Sequence, residues 1–275
     1  MRAVGIALFV FCIFPLTSGL KTKYYVNGQN QEYECVDDSS DTSNLCELIE
    51  ACADHDEVAH CKEQVLLAVF KDNKFYAKAF GVVIGNKYVL TTVSSRIPKF
   101  FTREEWVAIN SPHGYMLTSS QLRPAVKFGR YNLTAWHDLA VFELAWKNGN
   151  FGFATSIREL QPGEIPWGVD TGSSGKGVKY DKLKMGTDAE CTQAFATEEP
   201  HFNKEIMYCA KDEHYNVANN KNTVRTLGSG VVAGSDRKIV GLKSLYSTRS
   251  NYFIIVKVAK FCGWLKEISN NDIDC

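Results

Sequence analysis

The chain has 275 residues, 45% of them hydrophobic, with 31 basic and 31 acidic side chains and a formal net charge of zero. That length suffices for a full core, one domain of roughly 200–250 residues of the all-β barrel kind plus an extension. The charge balance offers no electrostatic reason to expect nucleic acid or an anionic membrane as a partner.

Arg2, an apolar run over residues 3–16 and Thr17-Ser18-Gly19 have the three parts of a secretory signal peptide. The run is too short for a good transmembrane helix, and no later segment approaches the roughly 18 apolar residues one needs. Removing residues 1–19 also removes Cys12 and leaves Cys35, Cys46, Cys52, Cys61, Cys191, Cys209, Cys262 and Cys275. An even number of cysteines suits an oxidising, extracellular compartment. Residues 20–62 then form a polar, acidic extension holding four of those cysteines. Leu45, Leu48, Ile49 and Cys52 fall at i, i+3, i+4 and i+7, which predicts a short amphipathic helix capped by Ser43 or Asn44. The extension is either a disulfide-tied module of its own or a belt strapped to the main domain. His55 and His60 lie among its cysteines, but in a secreted chain disulfides compete with zinc for the same thiols, so no metal is expected.

Short, turn-bounded, strand-like segments follow at 65–70, 76–84, 88–92, 106–109, 139–144, 231–232, 239–245 and 252–258. Their density predicts an all-β sandwich or barrel. Gly85-Asn86-Lys87 between the second and third marks a hairpin turn. Phe261, Trp264, Leu265 and Ile268 make an apolar stripe at helical spacing, so the domain ends on a helix. Asn132-Leu133-Thr134 is a glycosylation sequon.

Several of these stretches resemble the chymotrypsin-like (S1) serine proteases. In FGVVIGNKYVLTTVSS, residues 80–95, Tyr88-Val89-Leu90-Thr91 stands where that family has the W-V-L-T leading to its catalytic histidine. The histidine position is Ser94, the cysteine after it is Ser95, and the cysteine that would bridge to it is Phe80. Both halves of one disulfide are missing together. His137-Asp138-Leu139-Ala140-Val141 resembles the segment of the triad aspartate, with Asp138 at that position, 44 places after Ser94. His137 is a poor substitute base, because neighbours in an extended segment point to opposite sides.

Leu227-Gly228-Ser229-Gly230-Val231 stands where the family reads GDSGGP. Gapless spacing to Gly241 puts Ser229 at the nucleophile position; lining up Val231-Val232 with the family's hydrophobic strand puts Leu227 there instead. In either register the aspartate before the nucleophile is absent, replaced by Gly228 or Thr226. Its partner is absent too, since residues 57–65 contain no I-V-G-G-like activation sequence. Losing both partners is coherent, because one alone would be costly to bury. Val240-Gly241-Leu242-Lys243-Ser244-Leu245-Tyr246 resembles the pocket strand V-G-I-V-S-W-G: Ser244 is kept, while Tyr246 replaces a glycine. Counting back from Val256-Lys257-Val258 puts Phe253 on a glycine of the primary pocket, and Thr223 stands where a pocket-base aspartate would. The resemblance also implies a Cys191–Cys209 disulfide. Cys262 and Cys275 would then pair with each other or with the extension.

The expectation is therefore a chymotrypsin-like double β-barrel over residues 63–275, with a C-terminal helix and a cysteine-containing N-terminal extension. With serine in place of the base, the resemblance implies a secreted protease homologue that no longer cleaves peptides. It would act on an extracellular protein partner (a protease, an inhibitor or a surface ligand) and need no cofactor. The alternative is a weak or altered hydrolase using Ser229 with His137.

Overall fold

The computed structural model describes residues 20–26, 29–37, 63–72, 74–92, 105–110, 113–116, 123–124, 138–144, 155–171, 178–198, 201–213 and 226–275. Two sheets account for most of them. The first holds β1 (Leu20–Val26), β2 (Gln29–Asp37), β3 (Gln64–Lys71), β4 (Lys74–Ile84), β5 (Tyr88–Thr91), β6 (Glu105–Asn110), β7 (His113–Met116), β8 (Arg123–Pro124) and β9 (Ala140–Glu143). Their order is β2-β1-β7-β6-β3-β4-β5-β9-β8, and a further parallel pairing of β2 with β4 closes a ring of six strands.

The second sheet holds β10 (Trp167–Thr171), β11 (Val178–Lys182), β12 (Lys184–Met185), β13 (Met207–Lys211), β14 (Gly230–Ala233), β15 (Lys238–Tyr246) and β16 (Tyr252–Val256), in the order β11-β10-β14-β15-β16-β13-β12. Two short helices complete the described fold, α1 (Asp188–Ala194) and α2 (Cys262–Ile268), the latter entered through a 3-10 turn over Val258–Phe261.

The β4–β5 hairpin explains its own uninterrupted apolar sequence. Gly85 takes φ +58° at the turn, and Val82, Val83 and Ile84 pair with Leu90, Val89 and Tyr88. Val83 and Val89 face the first-barrel core with Val65, Leu67, Trp106, Ala108 and Phe142. Val82, Ile84, Tyr88 and Leu90 face the other way, onto Val232, Ile239, Leu242 and Val256 of the second sheet and Leu265 of α2. A strand buried on both faces has no polar alternation to show. At the turn, Lys87 pairs with Glu143 at 2.6 Å, which holds its pKa above the ordinary lysine value.

The expected terminal helix is present as α2, with Leu265 buried and Phe261, Trp264 and Ile268 packed against the inter-barrel core. A Cys262–Cys275 disulfide ties its start to the chain end. Cys191 on α1 is joined to Cys209 on β13, with Cα atoms 5.8 Å apart. The sequence reading missed α1, although Thr187-Asp188-Ala189-Glu190 spells a capping box: Thr187 Oγ1 accepts from Glu190 N, and Glu190 accepts from Thr187 N.

It also missed β1 and β2. In its described part the extension is a hairpin inserted in the first sheet, with Cys35 buried and disulfide-bonded. The helix expected near residues 45–52, the signal segment 1–19, and Cys46, Cys52 and Cys61 lie outside the described residues. No described helix is long and apolar enough to cross a membrane.

Candidate functional site

Asp138 leads into β9 on the first barrel and Ser244 sits in β15 of the second. The Ser244 hydroxyl donates to Asp138 Oδ2, so two residues 106 apart in sequence meet across the barrel interface. Ser94, His137, Thr223 and Asn132 lie outside the described residues.

Ser229 is fully buried, and among the described residues its Oγ has no hydrogen-bond partner. Its direction follows from strand parity. Val231 and Ala233, two and four places on, belong to the second-barrel core with Tyr246 and Phe253. Val232 belongs to the inter-barrel core with Val82, Ile84 and Leu90. A Cβ on Gly230 would point at Val82 and Gln64, both first-barrel residues. Alternate residues of an extended strand face opposite sides, so carrying the alternation of Gly230–Ala233 back one residue puts Ser229 on the face of Val231, away from the first barrel that carries Asp138. Leu227 packs against the same second-barrel core.

The backbone N–H groups of Gly228, Ser229 and Gly230 are consumed internally. Gly228 donates to Lys243 O at 2.8 Å and Ser229 to Thr226 O at 3.2 Å. Gly230 donates to Gln64 Oε1 at 2.9 Å, and Gln64 Nε2 returns a bond to Gly230 O at 3.1 Å. Gln64 thus acts as a one-residue strand partner between the barrels, a role its local sequence does not signal. Gln64→Ala leaves a buried N–H and C=O without that partner and is expected to cost about 2 kcal/mol, since an unsatisfied buried group costs ~1–3. Urea unfolding checks this, by a lower midpoint at unchanged slope.

Beside Ser244 the interior of the second barrel is filled. Tyr246 and Phe253 are buried, register partners across β15–β16, with ring centroids 5.3 Å apart. Lys243 is fully buried; its Nζ lies 4.1 Å from the Phe253 ring centroid and donates to Val169 O. Thr226 Oγ1 donates to the same carbonyl at 3.3 Å and lies 3.4 Å from the Tyr246 hydroxyl, which donates to Asp212 Oδ2 at 3.3 Å. Thr226, Asp212, Lys243 and the two rings of Tyr246 and Phe253 occupy this volume together. The signal for Lys243 was visible as a lone lysine inside the apolar run of residues 239–245; what it would touch was not.

Among the described residues no cluster of three or more His, Cys, Asp or Glu side chains could hold a metal ion. No protein-family model matches the chain, and no curated protein does. Solved structures do match it. Kallikrein-related peptidase 10 is 17% identical with a TM-score of 0.52, over 76% of this chain and 96% of that one. The same peptidase in complex with Zn2+ is 18% identical with a TM-score of 0.51, over the same shares. At such identity the likeness is one of architecture, and it agrees with the two sheets and the terminal helix: the chain has the chymotrypsin-like double β-barrel fold of the trypsin-like serine proteases.

Proposed function

We propose that this is a secreted chymotrypsin-fold protein that does not cleave peptides and instead acts by binding an extracellular protein partner: a protease, an inhibitor or a surface ligand. One observation carries the reading. Ser229 is fully buried, and its own N–H, one of the two donors an oxyanion at that serine would need, donates instead to Thr226 O at 3.2 Å. Losing a single such donor costs an acyl-transfer enzyme roughly 100- to 1000-fold.

The burial and direction of Ser229, the volume filled by Lys243, Tyr246 and Phe253, and serine in place of histidine at residue 94 support the same reading. Leu227 then takes the nucleophile position of the fold, in the second of the two registers. Asp138 and Ser244 are retained as a structural hydrogen bond between the barrels. Residues 1–19 serve as the signal peptide, residues 20–62 as the extension, and Asn132 as a glycosylation site.

The reading makes a direct prediction. The wild-type protein stays unlabelled by a fluorophosphonate, and Ser94→His stays unlabelled too, because supplying the base restores neither donors nor access. A serine adduct at Ser229 in either form, found by peptide mass spectrometry, overturns the proposal in favour of a hydrolase.

A further inference from the structure

Residues 269–275 lie across the seam between the two barrels. Ile273 is buried in the inter-barrel core with Ile84, Tyr88, Ile157 and Leu265. Asp274 O accepts from Ile157 N at 3.0 Å. Asp272 O stands 3.0 Å from the position a Cβ on Gly85 would take, at the β4–β5 turn. The path from α2 to Ile273 is locally unfavourable: Asn270 and Asn271 take φ +52° and +65°, consecutive left-handed residues that carry a Cβ. Such a path persists only where its surroundings hold it. Here they are Ile273 in the core and the disulfide from Cys275 to Cys262.

The Cys191–Cys209 and Cys262–Cys275 bridges differ in what surrounds them. Cys191 and Cys209 are buried in a core with Phe195, Met207 and Ile254, and their sulfurs lie 3.1 and 2.8 Å from where a Cβ on Gly186 would stand. A thiolate has no approach to that bridge in the folded protein. Cys262 and Cys275 are only partly buried, and beside Cys262 a Cβ on Gly263 would meet nothing within 4 Å. Access for the attacking thiolate separates labile disulfides from inert ones.

We infer that the Cys262–Cys275 bridge is a redox switch, reduced by a protein dithiol, that governs release of residues 269–275 from the seam. One thiolate of the dithiol attacks a sulfur of the bridge to form a mixed disulfide, and its second thiolate resolves it. The dithiol leaves as a disulfide, while Cys262 and Cys275 take up two electrons and two protons. The bridge joins residues 13 apart in sequence. In the chain-entropy account, cutting a loop of that size favours the open segment by roughly 100-fold. Opening withdraws Ile273 and uncovers the apolar edge of the seam, while Cys191–Cys209 keeps α1 on β13.

The test treats the natively folded full chain with reduced thioredoxin, traps free thiols with N-ethylmaleimide and maps them by peptide mass spectrometry. Cys262 and Cys275 should be labelled together while Cys191 and Cys209 stay unlabelled. Hydrogen exchange then reads the segment: the Ile157 N–H should exchange roughly 100-fold faster once the bridge is reduced, with the amides of Cys209 and Ile254 unchanged. Cys262→Ser with Cys275→Ser should show the same fast Ile157 exchange without reductant, which separates this bridge from that of Cys35. If that variant folds poorly, the reduced wild type carries the test alone. Cys262 and Cys275 that stay unlabelled until the whole protein unfolds, or Cys191 and Cys209 labelled equally fast, would overturn the inference. So would a reduced bridge with Ile157 exchange unchanged, since the bond would then be a staple and no switch.

Discussion

Phe253→Ala is expected to lower stability by about 3–5 kcal/mol, the range for deleting a fully buried aromatic ring. Phe253 has no exposed surface, packs against the Tyr246 ring at 5.3 Å, and lies under the Lys243 ammonium at 4.1 Å from its centroid. Truncation removes the apolar contact and the cation–π partner of a buried cation together. Phe253→Leu keeps most of the volume and should cost less than half as much. Urea or thermal unfolding of the three proteins gives the ranking. A cost for Phe253→Ala under ~1 kcal/mol would mean that the ring does not fill this volume.

The same substitution tests what kind of space the ring occupies. Benzamidine should stabilise neither the wild type nor Phe253→Ala. The wild-type volume is occupied, and in the variant the amidinium would face the Lys243 amine, a hydrogen-bond donor, rather than an acceptor. A site saturated at 100 times its dissociation constant would raise stability by about 2.7 kcal/mol, easily seen in a melting curve. A saturable shift in the wild type would show that the space is open and would remove one support of the binding-protein reading.

Gly228→Ala should cost about 2–5 kcal/mol, with a drop in melting temperature of roughly 5–15 °C. Two penalties combine. Gly228 takes φ +84°, where a residue with a Cβ pays about 1–2 kcal/mol. The new Cβ would also stand less than 3 Å from Phe80 O and Thr91 Oγ1. Neither neighbour can yield cheaply: Thr91 Oγ1 donates to Phe80 O at 2.6 Å, and Phe80 N donates to Leu227 O at 3.3 Å. Overpacking of that kind costs a further ~1–3 kcal/mol. Gly163→Ala separates the penalties, because Gly163 takes φ +83° but has nothing within 4 Å of its Cβ position. It should lose only the backbone share. Equal losses at the two sites would deny that residues 226–230 are pressed against the first barrel.

Some of the site was legible as residue size and order. Tyr246 and Phe253 stood out because each is large where the resembled fold has glycine, and Ser244 because it was unchanged. The choice between Leu227 and Ser229 was not legible. Gly-Ser-Gly fits either register, and only strand parity, fixed by which neighbours surround residues 230 to 233, gives Ser229 a direction. Gln64 gave no signal, since a glutamine opening a strand is ordinary until a main-chain N–H and C=O 166 residues away align with its amide.

By itself the sequence determined the all-β class of the domain, and its resemblance to chymotrypsin-like segments implied the double barrel. Periodicity, turn residues and spacing are local properties, and they mark β3 to β6, β9, β14 to β16 and the closing helix without help from distant contacts. The tertiary structure alone decided where the N-terminal hairpin goes. Its polar, weakly alternating residues make no strong local strand, and they become one because β4 and β7 offer open edges on either side. It alone also decided that Lys243 is buried. A lysine in an apolar strand needs partners for its amine, and here they are the carbonyl of Val169, 74 residues away on β10, and the ring of Phe253 on the neighbouring β16. Local interactions are written in neighbouring residues; the partners that satisfy a buried polar group are chosen by the fold.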